Sequence, residues 1–153
     1  MALLGAMTLL GAMFQSPIGQ TVTNNHFYSG YCTWAAAEEA HSAWGVWLPW
    51  FGDAGDWAAA AQDAGWRVSP VPQVHTIAAM PRGVQGSGPY GHVAWVLAVN
   101  ADVETVTVRS MDWHGRGVTT VHDLVVDGRV QFILPPAPGD ITPDAWSVQT
   151  LAY

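Results

Sequence analysis

Gly65 divides this chain into two kinds of pattern. Ahead of it lie two alanine-rich stretches, residues 31–43 and 56–64, whose composition favours helix. Asp53 and Asp56 suit the start of the second, because carboxylates there accept orphan backbone N–H groups. Gly65 suits its end as a left-handed cap. Beyond Gly65 the pattern is that of short strands: residues 66–68, 76–80, 92–99, 105–109, 118–126 and 130–133. Residues 92–99 are apolar at nearly every position, as a strand covered on both faces requires, and 105–109 alternate. Asn100-Ala101-Asp102 is expected to turn the first of these into the second, and Asp127-Gly128 to turn 118–126 into 130–133, giving two antiparallel hairpins. Helices followed by an antiparallel sheet define an α+β fold.

The chain of 153 residues has room for one domain with one sizeable core. Half of its residues are hydrophobic, nine are tryptophan and only 11% are charged, which excludes a solvating disordered segment. The net charge is −7, with five arginines and no lysine. Neither nucleic acid nor an anionic membrane surface is a partner for such a balance, since both select a basic face.

Residues 1–15 are apolar and uncharged, with Leu3, Leu4, Met7, Leu9, Leu10 and Met13 on one broad helical face. They read as a truncated export signal, a helix packed on the domain or a junction from a larger protein, and are too short to span a bilayer. Residues 16–27 read as a linker and 136–153 as a proline-rich tail, leaving 28–135 as the folded domain. The glycine-rich run 81–91 reads as a flexible loop and lacks the lysine of a phosphate cradle.

Cys32 is the sole cysteine, so no intrachain disulfide exists. It follows a glycine turn and precedes helix-forming residues in Tyr28-Ser29-Gly30-Tyr31-Cys32-Thr33-Trp34. A sulfur on the first turn of a helix faces unpaired N–H groups, and the expectation is a thiol pKa lowered toward a reactive thiolate. His92, in Gly91-His92-Val93-Ala94, stands at the mouth of an apolar strand. A thiol and an imidazole are the two parts of a cysteine hydrolase, the second accepting the proton of the first and later delivering one to the leaving amine. Taken separately, each residue also reads as an inert core cysteine or a satisfied strand-end histidine.

Several motifs occur in an order and spacing that resemble the CHAP domain, the cysteine–histidine amidohydrolase/peptidase module of papain-like fold. They are Gly30-Tyr31-Cys32-Thr33-Trp34, Gly52-Asp53-Ala54-Gly55-Asp56-Trp57, Ala64-Gly65-Trp66, the run from Pro72 to Ile77, Gly91-His92-Val93-Ala94, and residues 106–113. The likeness covers roughly residues 28–135. It implies cleavage of an amide bond in bacterial cell-wall peptidoglycan, by an N-acetylmuramoyl-L-alanine amidase or a peptide-bridge endopeptidase of extracellular or wall-associated location. It implies Cys32 as nucleophile and His92 as general base and acid.

The chain departs from the family's pattern at three places. Ser110 stands where the family has glutamate and Asp112 where it has asparagine, so Asp112 is the candidate to orient His92 by accepting its other ring N–H, with Ser110 a weak auxiliary. Tyr31 replaces a glutamine that helps bind the oxyanion, a role left to its hydroxyl or to the Cys32 backbone N–H. His75 replaces a glycine, and is a candidate for the groove together with Trp113 and Trp47. Trp34, Trp57 and Trp66 read as core, while Trp44, Trp47 and Trp50 either grip substrate or lid the core. No zinc spacing occurs among the six histidines, and the residues before Cys32 offer no carboxylate for calcium, so no metal or cofactor is expected. The expected partner is peptidoglycan alone, bound by a monomer. Two other readings stay open: a wall-binding module that keeps the fold without cleaving, and an amidase acting on a small soluble amide.

Overall fold

A computed structural model describes residues 22–137. The expected N-terminal helix or signal over residues 1–15 lies outside the described residues, as does the tail beyond residue 137. The fold is α+β: two helices pack on a six-stranded antiparallel sheet. The first helix, α1 (Cys32–Trp44), lays Ala36, Ala37 and Ala40 against the sheet. These small side chains let the helix backbone approach strand β3 (His92–Val99) closely. Gly45, in left-handed conformation at φ 75°, ends the helix by donating its N–H to the His41 carbonyl.

The second helical region opens as a 3-10 turn, Ala54–Asp56, and continues as α2 (Trp57–Asp63). Neither Asp53 nor Asp56 caps it with its side chain, contrary to expectation. Both carboxylates turn to Arg82 instead, Asp56 at 2.7 Å and Asp53 at 3.4 Å. A guanidinium facing two carboxylates offers stronger, charge-assisted bonds than a backbone N–H does. Gly65 ends α2 as expected, at φ 82°, and Trp66 donates its N–H back to the Ala61 carbonyl.

The remaining strands are β1 (Val68–Ser69), β2 (Ile77–Met80), β4 (Thr105–Met111), β5 (Thr119–Val125) and β6 (Gln131–Ile133). Their spatial order is β1-β6-β2-β3-β4-β5. The hairpin expected between residues 92–99 and 105–109 forms as β3 and β4. The one expected around Asp127-Gly128 does not. Strand β6 crosses the sheet and pairs with β1 and β2, not with β5. The favoured two-residue turns need positive φ at the first central position, and here Asp127 lacks it; only Gly128 is left-handed, at 81°. Asp127 instead accepts hydrogen bonds from the backbone N–H and guanidinium of Arg129. Burial of Val130, Phe132 and Ile133 in the middle of the molecule drives the crossing.

The sheet separates two apolar clusters. On the helix side, Trp50, Trp57, Trp66, Trp95, Ile77, Val93 and Ile133 form the larger one. Trp50 sits edge-on to Trp57 and to Trp66, so Trp50, Trp57 and Trp66 are core residues. On the far side, Met80, Ala94, Val96, Val106, Val108, Leu124 and Phe132 form the second, with Trp113 packed against it. The glycine-rich loop 81–91 is pinned: Ser87 is buried with its hydroxyl donating to the Pro81 carbonyl, and Gln85 exchanges two hydrogen bonds with the backbone of Val125.

Candidate active site

Cys32, His92 and Asp112 open onto one cavity of about 600 Å³. Cys32 is the first residue of α1, preceded by Tyr31, whose side chain makes no capping bond. His92 is the first residue of β3, and Asp112 follows β4 in a left-handed conformation at φ 65°. The connection after Asp112 holds the turn before the helix: Gly117 donates to the Gly30 carbonyl at 2.8 Å, and the Arg116 guanidinium lies 4.7 Å above the Tyr31 ring.

The sulfur of Cys32 is half-buried and meets the backbone N–H groups of Thr33 and Val93, the latter one residue past His92. Its pKa is nonetheless raised, not lowered as the helix start suggested. Burial is the larger effect and favours the neutral thiol; the N–H groups work against it, and the negative charge of Asp112 adds to it. Asp112→Asn therefore lowers the thiol pKa and speeds alkylation of Cys32 by iodoacetamide at neutral pH; an unchanged or slower rate contradicts this electrostatic account.

His92 is almost wholly buried, and its pKa is lowered to about 4, first by burial and then by the nearby His122. It is therefore a neutral imidazole at neutral pH. Its Nε2 points into the protein, which leaves Nδ1 as the nitrogen on the cavity side. The unfolded chain binds a proton on this residue near pH 6.5, whereas the folded one does so only near 4. Stability is thus complete above pH 6.5 and falls as the pH drops through that window, by up to about 3 kcal/mol from this residue. His122 is lowered in the same direction. Urea midpoints measured from pH 7 to pH 4 are expected to decline, with a shallower slope in His92→Asn.

The other expected site residues are dispersed. The Asp112 carboxylate lies in the cavity but forms no hydrogen bond with His92, and its backbone N–H is committed to the Val118 carbonyl. Ser110 is buried on β4 with an unpartnered hydroxyl and does not line the cavity. Trp113 does not line it either; its ring backs His92 edge-on at 4.9 Å. Trp47 stacks on His41 near the far end of α1, and His75 stacks on Trp95 just ahead of β2, so neither reaches the cavity. Their neighbourhoods are set by long-range packing and not by chain order.

The aromatic lining comes from residues not expected there: His26, Phe27, Tyr28, Phe51 and Tyr90, besides Tyr31. Tyr28, Phe51 and Tyr90 are 82%, 66% and 67% exposed, which leaves ring surface open to a ligand even though His26 packs on Phe51. Within the segment read as a linker, His26 is bonded to the Trp50 carbonyl and Asn25 to the Trp34 carbonyl and Glu38. The adjacent rings of His26-Phe27-Tyr28, just ahead of Cys32, were the signal in the sequence. Among the described residues no three His, Cys, Asp or Glu side chains cluster to hold a metal ion, and no helix is long and apolar enough to cross a membrane.

The model of the CHAP domain family matches residues 22–112, from the first described residue through Cys32 and His92 to Asp112. The chain belongs to the CHAP domain family. Staphylococcal secretory antigen SsaA of Staphylococcus aureus is 35% identical over 103 residues, covering 67% of this chain and 37% of its own. "Probable autolysin LDP" of the same species is 32% identical over 113 residues, covering 71% and 37%. A Streptococcus mutans protein with hydrolase in its name is 32% identical over 117 residues, covering 72% and 51%. The chain thus spans about half or less of the length of these relatives. Among solved structures, an N-acetylmuramoyl-L-alanine amidase from S. aureus superposes with a TM-score of 0.64 at 24% identity, over 74% of this chain and 34% of that one, a likeness of fold.

Proposed function

We propose that this CHAP domain is a peptidoglycan hydrolase that cleaves an amide bond through Cys32 and His92, as an N-acetylmuramoyl-L-alanine amidase or a peptide-bridge endopeptidase acting outside the cell or at its wall. The observation that carries the reading is the shared cavity: a half-buried sulfur and a neutral imidazole open onto one space, with the Val93 N–H at the sulfur. The autolysin and secretory-antigen relatives and the amidase fold support the substrate and the location.

A raised thiol pKa beside a lowered imidazole pKa favours a neutral pair over a resting thiolate–imidazolium pair. His92 Nδ1 takes the thiol proton as the sulfur attacks the amide carbonyl carbon. The carbonyl electrons move onto oxygen, and the Cys32 backbone N–H stabilises that charge. The imidazolium then protonates the leaving amine as the C–N bond breaks, leaving a thioester. A water, deprotonated by His92, opens the thioester and releases the carboxylic acid and the free thiol. Exposed rings at Tyr28, Phe51 and Tyr90 offer flat faces to sugar or peptide.

Digestion of purified cell walls, followed by mass spectrometry of the soluble fragments, tests the reading and identifies the bond. Release of fragments with new amino and carboxyl ends supports it. Wall binding without any release establishes the second reading, a non-cleaving wall-binding module, which the raised thiol pKa favours, as does the absence, among the described residues, of a carboxylate bonded to His92.

A further inference from the structure

Seven buried side-chain nitrogen or oxygen atoms among the described residues have no hydrogen-bond partner, and four of them are His92 Nε2, Ser110 Oγ and both ring nitrogens of His122. The strand registers bring these four together. Met80 pairs with His92 and Ala78 with Ala94, so the His92 side chain emerges on the face of the second apolar cluster, away from the helices. On β4, Ser110 lies two residues from Val108, a member of the same cluster, and so on the same face. Val108 pairs with His122 and Ser110 with Thr120, which sets His122 diagonally across from Ser110. Trp113 roofs the group, edge-on to His92 at 4.9 Å and stacked on His122 at 4.6 Å and 18°.

Buried polar atoms are seldom left unpaired, and an unpaired cluster among apolar walls calls for a donor and acceptor small enough to fit it. Asp112 does not meet the need, since it lines the cavity on the side of the sulfur whereas Nε2 faces inward. We propose that Ser110 and His122, joined under Trp113 by one ordered water, are positioning residues that accept the Nε2–H of His92 and fix its tautomer, leaving Nδ1 free to take the Cys32 proton. The hydroxyl rotates to suit either partner, and a neutral His122 ring supplies one acceptor and one donor. A neutral orienting group also suits a base that works as a neutral imidazole, because a carboxylate in that place would stabilise the imidazolium and raise its pKa. The inference rests on His92 being the general base, but its principal test does not depend on turnover.

Long-range proton–nitrogen NMR on the nitrogen-15-labelled chain at pH 7 reads the His92 tautomer directly, with His92→Gln assigning the signals. The wild type is expected to show a single Nε2–H form. Ser110→Ala combined with His122→Phe keeps the ring stacked on Trp113 but removes the polar atoms. It is expected to give a mixture of tautomers and a kcat on cell-wall fragments lower by about ten- to a hundredfold, with KM within twofold. If that pair fails to fold, Ser110→Ala alone and His122→Gln replace it with the same expectations. An unchanged tautomer in these variants overturns the proposal, as does a tautomer lost in Asp112→Asn. A wild-type protein that shows the fixed tautomer but cleaves nothing rejects the hydrolase reading and leaves this arrangement standing.

Discussion

Replacing Cys32 by alanine is expected to reduce the release of fragments from purified cell walls by at least three orders of magnitude, at unchanged stability. The sulfur belongs to the first residue of a helix and opens onto a cavity that an imidazole also lines. No other residue can form the thioester, so what remains is the contribution of binding and the backbone N–H groups. Serine fares little better, because its hydroxyl is far harder to ionise and the site holds its nucleophile neutral. The fold should tolerate both changes, since Cys32 is only half-buried at the edge of the larger core. Fragment release, urea midpoint and reaction with an alkylating agent are the three measurements. A Cys32→Ala protein that digests walls at a tenth of the wild-type rate, or a wild type that keeps working after its thiol is blocked, removes Cys32 from the mechanism.

Gly91→Ala is expected to destabilise the domain by about 4 kcal/mol or more, a larger loss than any surface substitution should give. Two costs coincide at this position. The backbone is left-handed at φ 73°, where a side chain is strained by about 1 kcal/mol. A Cβ built there also falls 2.4 Å from the Cα and N of Gly55 and 2.7 Å from the Met80 carbonyl oxygen. Those neighbours are backbone and cannot swing aside as a side chain would. Gly55 is itself tied to this place by donating its N–H to the Tyr90 carbonyl at 2.8 Å. Relief of the clash must push β3 away from the turn before α2, and His92 is the very next residue. Thermal unfolding should show a midpoint lower by roughly 15 °C, with lost hydrolysis even in the folded fraction. A midpoint within a few degrees of wild type refutes the close approach.

The residue patterns carried the layer architecture and the pairing of β3 with β4, because alternation and helix composition are local properties. They also carried the helix start at Cys32 and the strand start at His92, since a glycine turn before each is a local signal. Pairing of β6 was not legible: Asp127-Gly128 speaks only for a turn, and which neighbour a short apolar strand joins is decided by burial across the molecule. Asp53 and Asp56 looked like helix caps because the competing partner, Arg82, is 29 and 26 residues away in sequence, respectively. The thiol pKa was misjudged for the same reason. The helix start that lowers it is visible in the chain, whereas the burial that outweighs it exists only once α1 lies on β3. Trp47 and His75 are aromatic and lie near motif residues along the chain, yet the cavity is walled by Tyr28, Phe51 and Tyr90, drawn from three separate loops.

Strand β6 is the final stretch of the sheet to be synthesised, yet it is wedged between β1 and β2. Until the ribosome has delivered Gln131–Ile133, Ile77, Ala78 and Ala79 have a partner on one flank only. A nascent chain can therefore gather its helices and the β3–β4–β5 meander early while the sheet still gapes in the middle.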